Sequence, residues 1–181
     1  MLNIFYLLKD SAKELKNVRT LAISAMLAAI NTVLGLSSIM IGDFVKIGFS
    51  FLATGLAGIL YGPITAGILG GLGDILNYLV KPAGPFFPGF TLSAVLSGFI
   101  YGFFLYKKPV SIRRIFFARL IIVIFIDLAL STIWLSLLSG KAFFILLPMR
   151  TLKAAIMLPV ETGILYIVSL RITALEILQK R

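Results

Sequence analysis

The 181-residue chain has no cysteine and no histidine. Together those absences remove disulfides, thiol catalysis, haem attachment and the usual zinc ligands, so no metal or other cofactor is expected. Acids are scarce as well, 7 Asp and Glu against 17 Lys and Arg, giving a net charge of +10. Only Asp74, Asp127 and Glu161 fall inside apolar segments, and each lies in a different one, which makes a paired-carboxylate catalyst hard to build. There is no phosphate loop either, because the glycines from Gly67 to Gly73 lack the Lys and hydroxyl residue that hold phosphate and magnesium. The chain therefore cannot power transport alone, and nothing in it marks an enzyme.

What is present is apolar. Hydrophobic residues make up 60% and charged ones 13%, with mean hydropathy +1.07, against roughly 45 to 50% apolar content in soluble domains. The long runs cross ~30 Å of hydrocarbon as helices, and they lack the two-residue alternation of barrel strands. The expected fold is an all-α integral membrane protein with six transmembrane segments: Thr20 to Met40, Phe49 to Tyr61, Pro63 to Val80, Thr91 to Tyr106, Ile115 to Leu138 and Phe143 to Leu170. Phe49 to Tyr61 is short for a straight span, and Tyr61-Gly62-Pro63 reads as a turn with proline opening the next helix. Residues 1–19 read as a cytoplasmic lead-in with amphipathic character, and residues 20–181 as one membrane domain.

The basic residues set the orientation. Twelve of them (Lys9, Lys13, Lys16, Arg19, Lys107, Lys108, Arg113, Arg114, Arg119, Arg171, Lys180 and Arg181) fall on the side of the N-terminus. Lys46, Lys81, Lys141, Arg150 and Lys153 fall on the other, so the positive-inside rule puts both termini in the cytoplasm of a multi-pass cell-membrane protein. The same clustering at segment ends explains the charge through topology and anionic lipid, and no nucleic-acid partner is expected.

Ionisable groups within such segments are costly and by default line a protein-enclosed cavity. Asp74, Asn77 and Tyr78 share a helix face by the i, i+3, i+4 rule, suited either to a ligand's N–H groups or to a polar clasp between helices. The loop from Lys81 to Phe90 holds three prolines and three phenylalanines, a stiff mount for Phe86 and Phe87 as a lid over a flat ligand or as an interfacial belt. Arg150 and Lys153 lie one turn apart, several residues into an apolar run with no acid nearby in sequence, and a ligand carboxylate would satisfy them. Arg119 reads instead as structural glue, paired with Asp127 or Glu161. Ala25 and Ala29 form a small-xxx-small pair for close docking of another helix, of this chain or of a partner.

These residues resemble a known family. The short six-helix plan, AMLAA from Ala25, GDFVKIGFSF from Gly42, Gly73-Asp74 and KPAGPFFPGFTLS from Lys81 are similar to the substrate-binding S components of energy-coupling factor (ECF) vitamin transporters. The run from Phe86 to Ser93, TIWLSLLSG from Thr132 and RTLK from Arg150 are most like the folate-specific branch. The resemblance implies a subunit that captures a vitamin outside the cell and passes it to a shared transmembrane coupling subunit carrying two cytosolic ATPases. It also implies that Ala25 and Ala29 meet that shared subunit, and that substrate lies beneath the outer loops at Gly42 to Ser50 and Lys81 to Phe90. Ser131 departs from the pattern, where an Asn is expected before the Thr.

Folate fits these residues chemically. Asp74 can accept from the pterin N–H edge, Phe49, Phe86, Phe87 and Trp134 can stack on its rings, and Lys46, Arg150 or Lys153 can meet the glutamate carboxylates. Rival readings are an S component for another small vitamin or precursor, a membrane enzyme, and a structural membrane subunit.

Overall fold

The computed structural model describes residues 4–41, 45–82, 84–140 and 142–179, with the side chains of 39–47 and 173–179 set aside. Helix α1 covers Ile4–Glu14 and α2 Val18–Leu36, followed by two short strands, β1 Ile39–Ile41 and β2 Val45–Ile47. Then come α3 Phe51–Val80, α4 Pro88–Leu105, α5 Ile112–Ile121, a π-helical stretch Ile122–Leu130, α6 Ser131–Ser139 and α7 Phe143–Gln179. Among the described residues five helical stretches are long and apolar enough to cross a membrane: α2, α3, α4, the continuous Ile112–Ser139, and Phe143–Ile172 of α7.

Helix α3 is in fact two membrane segments. Gly62 takes φ 85°, a left-handed value that suits glycine, and Pro63 supplies the pre-set backbone of a first helical position. The Thr54 methyl lies 3.5 Å from where a Cβ on Gly70 would sit, whereas sixteen residues of straight helix would separate them by about 24 Å. The chain therefore reverses at Gly62, and Phe51 to Tyr61 runs antiparallel to Pro63 to Val80. This makes the expected six segments, with the short second one shielded by its neighbours: Ala53, Leu56 and Ala57 are buried.

Small residues set the next contact. A Cβ on Gly98 would fall 2.2 Å from the Ala66 carbonyl, and one on Gly102 would fall 2.2 Å from the Pro63 backbone. The second half of α3 and α4 thus touch backbone to backbone, as glycine permits in membranes. Tyr101, Ile115, Ile122 and Leu165 close the core between α4, α5 and α7.

The inner end is tied by polar contacts. Asn17 caps α2 by accepting from the Arg19 amide at 2.9 Å. Lys107 donates to Asp10 at 2.7 Å, and its ammonium holds that carboxyl below its usual value. Helix α1 is seated against the Gly62 reversal, with Leu7 and Ser11 buried.

At the outer end β1 and β2 pair antiparallel, Met40 opposite Lys46. The expected outer loop is thus a hairpin, whose residues 42–44 lie outside the described residues.

Candidate substrate-binding site

Between α2, both halves of α3, α4, α5, the π-helical stretch and α7 lies an open cavity of about 270 Å³. Asn31, Ser50, Thr54, Asp74, Asn77 and Ser97 line it, and Tyr101, Arg119, Asp127, Lys153 and Glu161 close its other end. A smaller cavity of about 50 Å³ adjoins that end, sharing Arg119, Asp127, Lys153 and Glu161 and adding Arg150.

Two interlocked amides build the outer end. Asn77 Nδ2 donates to Asn31 Oδ1 at 3.0 Å, while Asn31 Nδ2 donates to the Ser50 carbonyl at 3.1 Å and to Thr54 Oγ1 at 3.2 Å. Glycine makes the interlock possible. A Cβ on Gly35 would sit 1.8 Å from Asn77 Oδ1, and one on Gly73 would sit 2.6 Å from Asn31 Oδ1. One turn away, Asp74 accepts from Thr91 Oγ1 at 2.8 Å, which orients the carboxylate between α3 and α4.

The deep end is charged. Arg119 reaches Glu161 through Nε and Nη2, stands 3.4 Å from Asp127 Oδ2, and lies over the Phe51 ring at 5.5 Å. Tyr101 accepts from it at 3.5 Å. Its side chain is 12% exposed and that of Glu161 5%, so the pair is buried where only mutual charge and hydrogen bonding make it tolerable. Arg150 donates to the Asp127 main-chain carbonyl at 2.9 Å, and its buried Nε has no hydrogen-bond partner among the described residues. Asp127 sits in the π-helical stretch, a local widening that is frequent at functional sites.

Several expectations are modified by this geometry. Arg119 pairs with both Glu161 and Asp127 rather than with one of them. Asp127 and Glu161, on separate segments, are brought together by that shared cation, and they place acids beside Arg150 and Lys153 that no local spacing revealed. Asp74 and Asn77 reach the cavity, whereas Tyr78 packs on Phe86 at 5.1 Å between ring centres. Phe87 meets Trp134 at 5.5 Å and Phe90 at 6.1 Å, and Trp134 Nε1 donates to Ser93 Oγ at 3.2 Å. Phe86, Phe87 and Trp134 do not line either cavity, although Trp134 is hydrogen-bonded to Ser93, which precedes the wall residue Ala94 in sequence.

Phe49 lies at the entry to α3, its carbonyl accepting from the Leu52 amide at 3.0 Å. The side chain of Lys46, and all of Asp43 and Lys141, lie outside the described residues. Lys81 is committed elsewhere, donating to the carbonyls of Leu36 and Ser38 at the end of α2. Ala25 and Ala29 are exposed on α2, facing away from the packed bundle.

Residues 19–169 match the family described as "ECF transporter, substrate-specific component". The chain belongs to that family. Its members are the substrate-specific parts of transporters, not enzymes, and this one is a multi-pass membrane protein. It is 41% identical over 136 residues to the folate transporter FolT of Clostridium novyi, covering 75% of this chain and 79% of that one. It is 28% identical over 157 residues to FolT of Leuconostoc mesenteroides, covering 83% and 84% of the two chains. Among solved structures, FolT bound with folic acid superposes with TM-score 0.80 at 32% identity, over 86% of this chain and 95% of that one.

Asn31, Thr54, Ser97 and Tyr101 are wall residues that sequence spacing left unmarked. Asn31 carried a usable signal, an amide inside an apolar run, whereas the role of Tyr101 depends on where Arg119 lands.

Proposed function

We propose that this S component binds folate in the cavity and delivers it to a transmembrane coupling subunit with two cytosolic ATPases. The carrying observation is the 41% identity to a folate transporter, joined to a fold that matches FolT bound with folic acid. The cavity's chemistry supports the same reading. Asp74 and the Asn31–Asn77 pair offer acceptors and donors for a heterocycle's polar edge, and Lys153 and Arg150 offer cations for carboxylates about the other end. Phe87 against Trp134 and Phe86 against Tyr78 supply flat surfaces for a flat ring system, and Lys46 in β2 and Phe49 before α3 belong to the first outer connection.

Both termini face the cytoplasm in this reading, which turns Asn77 and the hairpin outward and the Gly62 reversal inward. Residues 1–19 then form the cytoplasmic lead-in to the membrane domain of residues 20–181. Ala25 and Ala29, exposed on α2, are the surface offered to the coupling subunit.

The test is mass spectrometry of small molecules retained through purification. Recovery of folate or a reduced folate supports the proposal. Recovery of another vitamin moves the chain to a sister specificity within the family.

A further inference from the structure

An apolar groove of about 300 Å³ runs between α5 and α7: its walls are Ile112, Phe116, Phe117, Pro159, Thr162 and Gly163, with Arg113 at its edge. None of these lines the central cavity. The groove is concave where a helix surface is ordinarily ridged, because Gly163 contributes no side chain and a Cβ there would meet nothing within 4 Å. Its walls make no polar demand. Thr162 donates its hydroxyl to the Leu158 carbonyl at 2.7 Å, and Pro159 has no amide hydrogen to satisfy. Phe116 and Phe117 stand out along it, 37% and 55% exposed.

The basic residues between α4 and the first turn of α5 are not equivalent. Lys107 is paired with Asp10, Lys108 donates to the Phe103 carbonyl at 2.8 Å, and Arg114 donates to the Pro109 carbonyl at 3.2 Å. Among the described residues Arg113 has neither an ion pair nor a hydrogen bond, and it is the one that borders the groove. An exposed guanidinium in the first turn of α5, directly above an apolar trough that enters the membrane, is complementary to one amphiphile: an anion joined to a hydrocarbon chain.

We infer that the α5–α7 groove is a binding site for an anionic phospholipid of the inner leaflet, its phosphate at Arg113 and one acyl chain along Phe116, Phe117 and Gly163. The inference goes beyond substrate binding and holds whichever vitamin the central cavity takes.

The experiment is competitive retention of phosphatidylglycerol and phosphatidylcholine with identical chains, read by native mass spectrometry of the purified full chain. The unaltered protein retains the anionic lipid in preference. Arg113→Gln lowers that preference about fivefold, the factor expected for one basic residue near an anionic headgroup. Arg114→Gln leaves it nearly unchanged, because that side chain is already engaged. Gly163→Leu fills the trough and reduces retention of both lipids, and it does not threaten the helix, since leucine is the better helix former. Unchanged vitamin binding by each variant verifies the fold. Equal retention of the two lipids, an effect of Arg114→Gln as large as that of Arg113→Gln, or full retention by Gly163→Leu overturns the site.

Discussion

Ser11 Oγ donates to the Tyr61 carbonyl at 2.7 Å, across fifty residues of sequence, from a helix that does not itself span the membrane. The same oxygen accepts from the Ile64 amide at 3.0 Å and from the Thr65 amide at 3.4 Å. It thus caps both ends of the reversal at Gly62, doing for the second half of α3 what an N-cap side chain ordinarily does from its own chain position. The reversal needs such a partner because it leaves polar backbone groups at a turn where Gly62 and Pro63 are buried.

Ser11→Ala should therefore destabilise the protein by about 1 to 3 kcal/mol, the cost of leaving buried polar groups unpaired. Thermal unfolding in detergent checks this. Ligand affinity should hardly change, because Ser11 is remote from the cavity wall. An unchanged melting temperature would show that another group satisfies the turn.

The buried Arg119–Glu161 pair makes a different prediction. Arg119→Gln leaves buried Glu161 without its cation and should cost about 3 to 5 kcal/mol, Glu161→Gln should cost less because Asp127 still faces Arg119, and removing both should cost less than the two single losses combined. Denaturant or thermal unfolding of the cycle measures this. Simple additivity would mean that the two do not act as a pair.

The amide interlock makes a third. Gly35→Ala drives a methyl into the Asn77 amide, and Gly73→Ala does the same to Asn31. Each substitution should weaken ligand binding about tenfold or more by displacing a wall residue, the equivalent of one lost hydrogen bond. Titration of the purified variants decides the matter. Native affinity in both would remove the amides from the site.

Ala25→Trp and Ala29→Trp should abolish uptake while leaving binding by the isolated chain intact. Both alanines are exposed on α2, so bulk there blocks docking of another helix without reaching the cavity. Co-purification with the coupling subunits is the measurement. Undiminished capture of both variants would assign docking to another surface.

The membrane class and its six segments were legible in composition, because no soluble fold tolerates such runs, and the Gly62-Pro63 pair marked the reversal that joins the second and third. Asp74 and Asn77 were legible as costly polar groups that need a cavity or a clasp between helices, and they border the cavity while bonding to Thr91 and Asn31 of neighbouring helices. Arg119 was visible as a pairing residue, yet its double engagement was not, since Asp127 and Glu161 lie on different segments and only the packing of α5 against α7 brings them to one guanidinium. Tyr78 illustrates the limit of helix-face arithmetic. It shares the i+4 position with the cavity residues, but the Phe86 ring captures its side chain. Ser11 lay beyond sequence reasoning altogether, because its partner is a backbone irregularity rather than a motif.

In the proposed complex the cavity holds folate with its carboxylates toward Lys153 and Arg150. Calorimetric titration with folate and with a pterin lacking the glutamate tail, on the unaltered chain and on Arg150→Gln and Lys153→Gln, decides whether that pose is right. Folate binding should fall about tenfold to a hundredfold in either variant, the loss of one charge-assisted contact, with the tail-less ligand nearly indifferent. No folate binding by the unaltered chain, or equal losses for the two ligands, would contradict it.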